Sequence, residues 1–421
     1  MNYVTLQQAS QLLTIPIPQL LQWQKKKLIK SCQKVENTQL FDIEQIKAVK
    51  NCHENSSNYS PIYKILQSED ESDFNVLELF AGCGGMALGF ENAGLSNSLL
   101  VEINQDCINT LNTNRPHWNI IHDDVKNINF SEYNGKVDIV AGGFPCQAFS
   151  YAGYGRGFED TRGTLFFEMA RCLSEIQPKI AVIENVRGLM SHDQGKTLET
   201  ILNTLKELGY NPVYQVLSAQ FLDVPQKRER VIILASRQDL HLSLSFPQEK
   251  NYTISLREAL KNCPPSQGVQ YNQRKKAVME LVPMGGNWRD LPVEVQKSYM
   301  KNSFYKGGGR TGFAKRLAWD EPALTVTCSP SQTQTERCHP EETRPLTVRE
   351  YARIQTFPDN WQFAGSLSAQ YKQIGNAVPV NMAYHLGQSL IDALRGTTQD
   401  VAKNSTVQPQ FNQLSIPGLT A

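Results

Sequence analysis

The sequence predicts an α/β protein: a doubly wound, mostly parallel sheet, with a smaller irregular domain late in the chain and a small helical unit at its start. Three observations predict it. Short apolar, β-branched runs alternate with helix-period stretches between residues 74 and 236. A glycine-dotted turn follows the first run directly, as in sheets that bind ligands at their carboxyl ends. The pattern then changes twice, near residue 50 on one side and after Ser236 on the other.

With 421 residues the chain is long enough for two or three domains and a sizeable core. Forty-two basic residues face 41 acidic ones, a net charge of +1, so no global field marks a polyanionic partner and local asymmetry carries the argument. Nine cysteines are an odd number and contain no CxxC pair, which argues against a disulfide framework and against structural zinc. No run approaches the roughly 18 apolar residues of a membrane helix. The opening MNYVTLQQAS lacks the features of a signal peptide. A reducing, cytoplasmic setting is expected.

Residues 1–50 read as a separate unit. Thr5 can cap a helix with Leu6, Ala9, Leu12 and Leu13 at spacings of three and four. Prolines at 16 and 18 interrupt it, and a second helix runs from about Gln19 through Trp23. A lysine cluster follows at 25–27 and 30, then a short hairpin ending near Leu40–Phe41 and a third helix capped by Asp42. With seven lysines against three acids, the unit suits phosphate contacts. It resembles the helix-turn-helix of the MerR and excisionase group, which implies DNA binding. A protein-binding module with a solvated lysine face is the alternative. Residues 51–73 are polar and read as a linker.

Residues 75–80 (NVLELF) read as the first strand, followed by the turn 81–85 and a helix from Met86. A second strand over 99–103 places Glu102 twenty residues after Gly82. Glycines there admit close backbone approach, and a carboxylate at the next strand's tip accepts bonds from ribose hydroxyls. The pair points to a nucleoside-type cofactor without choosing NAD or S-adenosylmethionine. Asp124 and Val125 follow an apolar pair at 120–121. The run 137–141 leads into GGFPCQAFS (142–150), which sets Cys146 at a strand end where a thiol can do covalent chemistry. Free cysteines are more often buried small hydrophobes. A helix over 163–176, a strand over 179–185 ending near Glu184, a helix over 198–208, and strands over 213–217 and 231–235 complete the alternation. Glu102, Asp124, Cys146 and Glu184 all fall at predicted strand ends, so one shared cleft is expected.

After Ser236 the chain turns irregular. Between Gln267 and Arg316 ten basic residues meet three acidic ones, interleaved with Trp288, Tyr299, Phe304 and Tyr305. That composition suits a nucleic-acid surface, or a solvated insertion. Residues 344–357 read as an amphipathic helix entered through Pro345, and 374–379 lead into a last helix reaching about Leu394. The end of the chain lacks periodicity and reads as a disordered tail.

Taken in order, ELFAGCGG (78–85), GGFPCQAFS (142–150), RGTLFFE (162–168), ENV (184–186), QKRER (226–230), RPLTVREYARIQTFPD (344–359) and GNAV (375–378) resemble the motifs of bacterial DNA cytosine-5 methyltransferases of the type II restriction–modification kind. The resemblance runs from about Asn75 to Leu394. Glu78 departs by one methylene from the aspartate of many members. The resemblance implies the S-adenosylmethionine-dependent methyltransferase fold, with 74–236 as catalytic domain, 237–373 as target-recognition domain, 374–395 returning to the catalytic domain and 396–421 as tail.

It also implies roles. Cys146 is the nucleophile toward cytosine carbon 6, Glu184 bonds ring nitrogen 3 and the exocyclic amine, Arg230 reaches the base carbonyl, and Arg228 supports the loop around Cys146 and the phosphates. S-adenosylmethionine sits on Phe80, Ala81, Gly82, Gly84 and Gly85, with Glu102 on its ribose, Asp124 and Val125 beside its adenine, and Leu165, Asn376 and Val378 completing the pocket. The glycine loop 151–157 closes over double-stranded DNA from which the base is flipped. No metal is required. A monomer functionally paired with a restriction endonuclease is expected, nucleoid-associated and free of membrane, with residues 1–50 on its own promoter. Three other classes fit less of the sequence. A dehydrogenase leaves Cys146, Glu184 and the arginines without a role, a tRNA-acting relative shares the fold, and a regulator with a dead core leaves the full motif set unexplained.

Overall fold

The computed structural model describes residues 3–13, 20, 23, 24, 29, 31–35, 38–49, 61–144, 165–305 and 311–396. Cys146, the glycine loop 151–157, the lysines at 25–27 and 30, and the tail from 397 lie outside the described residues. The chain divides into two compact units, Met1–Ile62 and Tyr63–Ala421.

In the small unit Thr38–Asp42 is the central strand, antiparallel to Tyr3–Val4 on one side and Ser31–Val35 on the other. Helix Leu6–Leu13 starts at a reciprocal cap: the Gln8 amide N–H donates to Thr5 Oγ1 (3.1 Å) and the Thr5 N–H donates to Gln8 Oε1 (3.0 Å). Leu20, Trp23, Ile29, Phe41 and Ile46 close the core with Ala9. Leu12, expected inside, is 65% exposed; only Ala9 of that helix is buried, because an eight-residue helix against so small a core covers a narrow stripe. Asp42 accepts from the Glu44 N–H (2.9 Å) at the start of the helical residues 43–49.

The large unit is built on seven strands: β1 Asn75–Leu79, β2 Ser96–Glu102, β3 Ile120–His122, β4 Ile139–Gly143, β5 Ile180–Val186, β6 Tyr210–Ser218 and β7 Glu229–Arg237, in the order β3-β2-β1-β4-β5-β7-β6. All neighbours are parallel except those of β7, which is antiparallel to both β5 and β6. Period-two alternation sends Val231, Ile233 and Ala235 to one face and Ile232 and Leu234 to the other. Helices α3 (Leu165–Ile176) and α4 (Lys196–Glu207) cover the first face. The second is covered by α1 (Gly85–Asn92) and by the last helix, α10 (Val380–Arg395), which brings the chain's end back to its first βα unit.

Several elements differ from expectation. Residues 63–73, expected as linker, are pinned along the large unit: Tyr63 Oη donates to the Arg353 carbonyl (3.0 Å), and the Leu66 N–H to Asn381 Oδ1 (3.0 Å). Polar composition conceals such pairing because the partners lie some 300 positions away. Helix α2 (Gln105–Asn114) was not expected from a stretch rich in Asn and Thr; Asn104 caps it through the Cys107 N–H. The irregular region holds short helices α5 (Leu256–Leu260), α6 (Gln273–Glu280) and α7 (Val293–Met300). The helix expected from Arg344 is α8, Val348–Ile354, because Thr347 and Glu350 form a capping box two residues beyond Pro345. Helix α9 (Leu367–Asn376) precedes the final turn, and Tyr371 and Ile374 from it pack with Trp118 and Trp361 beside α1.

Candidate active site at the carboxyl ends of the strands

The turn after β1 is held in an unusual backbone state. Phe80, Gly82 and Gly84 all have positive φ (60°, 56° and 84°), and Phe80 has a side chain that disfavours it. Glu102 at the tip of β2 fastens this turn: Oε2 accepts from the Gly82 N–H (2.7 Å), while Oε1 accepts from the N–H groups of Ile103 (3.0 Å) and Asn104 (2.8 Å). A Cβ on Gly82 would meet nothing within 4 Å, so there is open space at that position, whereas a Cβ on Gly84 would meet Leu111 Cδ2 at 2.7 Å. A Cβ on Gly85 would lie 2.3 Å from the Val378 carbonyl oxygen, so α1 and the 375–378 segment touch backbone to backbone. Ala81 and Val378 are both buried.

After β3, the neighbour of β2, Asp124 caps a short turn through the Lys126 N–H (3.1 Å) and Val125 is buried. Leu165 opens α3, packed on the core, and Asn376 Oδ1 accepts from the Cys328 thiol (3.0 Å). Phe80, Phe144 and Phe166 form an aromatic chain with ring centroids 6.5 and 5.8 Å apart, joining the ends of β1 and β4 to α3. A hollow of about 530 Å³ lined by Glu102, Asn104, Asp106, Ser366 and Lys372 touches the expected cofactor set at Glu102 alone.

The second half of the site lies on β5 and β7. Strand pairing sets Glu184 beside Gly143 on one side and Ile232 on the other. Glu184 Oε1 lies 2.6 Å from Arg230 Nε, with side chains 12% and 11% exposed. Gly143 leaves room for this carboxylate, since a Cβ there would sit 2.8 Å from Glu184 Oε2. Arg228 differs from expectation. Its guanidinium is buried and donates to the carbonyls of Val326 (3.2 Å), Gly375 (3.1 Å) and Ala377 (3.1 Å). Burial, reinforced by Arg230, brings its pKa down to about 9. Arg228 is thus an internal tie rather than a phosphate contact.

Some residues of the site were missed in the sequence. Asn185, buried beside Glu184, donates from Nδ2 to the Phe144 carbonyl (2.9 Å) and so fixes the backbone two positions before Cys146. The amide inside the ENV motif was the available signal. Gln226 and Gln355, both fully buried, are bonded to each other (2.7 Å); their places in the QKRER and RPLTVREYARIQTFPD motifs were the available signal. Among the four aromatics assigned to a nucleic-acid surface, Trp288 is core, packed with Met279, Leu291 and Met300, and Tyr299 and Phe304 pack against it; Tyr305 is 78% exposed. Aromatic content alone does not separate a recognition surface from a small second core.

A family model described as C-5 cytosine-specific DNA methylase matches residues 74–392. The chain belongs to that family. Its relatives include the type II methyltransferase M.Eco47II of Escherichia coli, 58% identical over 76% of this chain and 79% of the relative, and M.Sau96I of Staphylococcus aureus, 51% identical over 76% of each. Among solved structures, a DNA modification methyltransferase encoded within an E. coli prophage aligns with a TM-score of 0.58 over 77% of this chain and 100% of that one, at 24% identity. Spodoptera frugiperda DNMT2 aligns with 0.53 over 76% and 99%, at 19% identity. These structural likenesses show the fold. The methylase is therefore an enzyme of DNA cytosine modification, and its methyl donor is S-adenosylmethionine. The residues present fit that donor. The turn 80–85 has open space at Gly82 and a carboxylate at Glu102 beside it, and Phe80, Val125 and Leu165 belong to one apolar cluster.

Proposed function

We propose that this methylase modifies carbon 5 of a flipped-out cytosine within a specific short double-stranded DNA sequence, through a covalent adduct at Cys146. The observation that carries the reading is the Glu184–Arg230 pair, part-buried where the carboxyl end of β5 meets the amino end of the antiparallel β7, beside the strand that runs on to Cys146. Cytosine carbon 5 is a poor nucleophile. Addition of the Cys146 thiolate to carbon 6 gives an enamine whose electron pair at carbon 5 attacks the methyl group. When bound, S-adenosylmethionine would supply that methyl from its sulfonium, with the neutral thioether as leaving group. Glu184 holds nitrogen 3 and the exocyclic amine, Arg230 holds the carbonyl oxygen, and both stabilise charge on the attacked ring. A water or hydroxide then removes the carbon-5 proton, and the carbon–sulfur bond breaks to return the thiolate.

In this reading Phe80, Ala81, Gly82, Gly84, Gly85, Glu102, Asp124, Val125, Leu165, Asn376 and Val378 bind the cofactor, and 237–373 reads bases from the major groove. The protein protects cytoplasmic, nucleoid-associated host DNA from a partner endonuclease. Its N-terminal unit, with a hairpin beside short helices, is read as a second DNA-binding module directed at its own promoter. Equal promoter affinity after deletion of residues 1–50 would end that part of the reading.

Bisulfite sequencing of DNA from cells expressing the chain tests the core of the proposal. One recurrent methylated cytosine in a fixed sequence is expected. Methylation of tRNA by the purified protein with none on DNA would overturn it.

A further inference from the structure

Two buried glutamines join the halves of the site. Gln355 directs Nε2 at the carbonyls of Ile374 (2.7 Å) and Ala377 (2.8 Å). Its Oε1 accepts from Gln226 Nε2 (2.7 Å), and Gln226 Oε1 in turn accepts from the Val326 N–H (2.9 Å). Each amide's orientation is dictated by fixed backbone groups, because only nitrogen can face two carbonyls and only oxygen can face an N–H. Gln226 stands two residues before Arg228, whose guanidinium bonds the Gly375 and Ala377 carbonyls, and four before Arg230 at the base side. The Ala377 carbonyl therefore receives both Gln355 and Arg228, while the next carbonyl, Val378, rests on Gly85 of the cofactor turn.

The residue after Gln355 strengthens the case. Thr356, β-branched and fully buried, has φ 58°. Its Oγ1 donates to the Gln355 carbonyl (2.7 Å) and accepts from the Asn381 N–H (2.9 Å). Backbone strain at a residue held on both sides is the mark of a conformation fixed by its surroundings.

We infer that Gln355 and Gln226 are positioning residues that hold segment 374–378 to the start of β7, so that occupation of the cofactor turn and of the base site are energetically linked. The inference rests on the proposed placement of cofactor and base. Neither glutamine touches either ligand; they act through Arg228 and the carbonyls of 374–377. Coupling through such an element is reciprocal, so product cofactor and DNA must strengthen each other by the same factor.

The test is calorimetric titration of S-adenosylhomocysteine into the full chain, with and without a duplex carrying the sequence mapped by bisulfite sequencing. In the wild type the duplex should tighten binding by about 5- to 150-fold, the usual range of such couplings. In Gln355→Met that factor should fall toward one, while affinity for each ligand alone stays within about threefold, as expected for a loss confined to the coupling. An unchanged factor overturns the inference, as does a wild-type factor of one. Should Gln355→Met fail to fold, Gln226→Met cuts the same bridge while leaving the carbonyl bonds of Gln355, and an unchanged factor there decides against the inference. Asn376→Ala and Glu184→Gln examine the underlying placement separately. If neither weakens its own ligand, the placement fails; if both do and the factor persists in the glutamine variants, only the linkage fails.

Discussion

Arg230 and Glu184 meet across the antiparallel pairing of β5 and β7, Nε to Oε1 at 2.6 Å, although 46 positions separate them in sequence. Each is close to nine-tenths covered. A charge pair so shielded is strongly destabilised when one partner is removed, and it orients any ligand placed against it.

Glu184→Gln keeps the shape and removes the carboxylate. Methyl transfer should fall by about 10²- to 10⁴-fold in kcat, the usual worth of a positioned acid or base. Affinity for S-adenosylmethionine, measured by calorimetry without DNA, should hold, because Glu184 is placed on the base side.

Cys146→Ala should abolish turnover altogether, with cofactor binding preserved. Radiolabelled methyl incorporation into the mapped duplex reads the first outcome and calorimetry the second. Residual multiple turnover would remove the thiol from the reaction.

Gly143→Ala is a subtler probe. The added methyl would meet the flexible end of Glu184 at 2.8 Å, so the fold can give way at little cost while the carboxylate moves off Arg230. Displacement by about an ångström at a reacting centre costs on the order of 10²-fold in rate. Thermal melting should stay within a few degrees of wild type while kcat drops.

Gly85→Ala meets backbone instead. Its Cβ would lie 2.3 Å from the Val378 carbonyl, so α1 or the 375–378 segment must shift. Destabilisation of about 1–3 kcal/mol is expected from such overpacking. The rise in melting temperature that S-adenosylmethionine gives the wild type should also shrink, in contrast to Gly143→Ala.

Asp223 provides a pH prediction away from the site. Burial works to raise its pKa, but bonds from His385 Nε2 (2.8 Å) and Tyr252 Oη (2.6 Å) prevail and hold the carboxyl below its ordinary 3.8. A depressed pKa contributes stability that is present above the unfolded value and lost as pH falls through the folded one. Asp223→Asn suits the left-handed backbone there (φ 56°) and should cost about 1–2 kcal/mol at pH 7, the scale of a hydrogen bond to a charged group. The deficit in melting temperature against wild type should narrow as pH is taken below 3.8. A deficit independent of pH would show that the ionised form contributes nothing.

Much of the α/β unit was legible because its information is local. The alternation of Val231 to Ala235 assigns faces, the glycines after Leu79 demand a turn, and the chain order of the motifs names a family. Helix α2 was missed because its stability comes from Leu111 packing with Ala87, Trp118 and Trp361 rather than from the propensity of its Asn and Thr residues. Trp288 was misassigned because composition does not report which side of a small core an aromatic takes.

By itself, then, the sequence determined the parts: an alternation of strands and helices, a nucleoside-type turn answered by Glu102, and Cys146 with its candidate partners. Only the tertiary structure decided how they are joined. It set β7 antiparallel between β5 and β6, which brings Arg230 to Glu184, turned Arg228 inward onto Gly375 and Ala377, and paired Gln226 with Gln355 across 129 positions. The physical reason is that strand order, register and the mate of a buried amide depend on long-range packing, and a buried polar group is committed to whichever partner the completed core brings within reach.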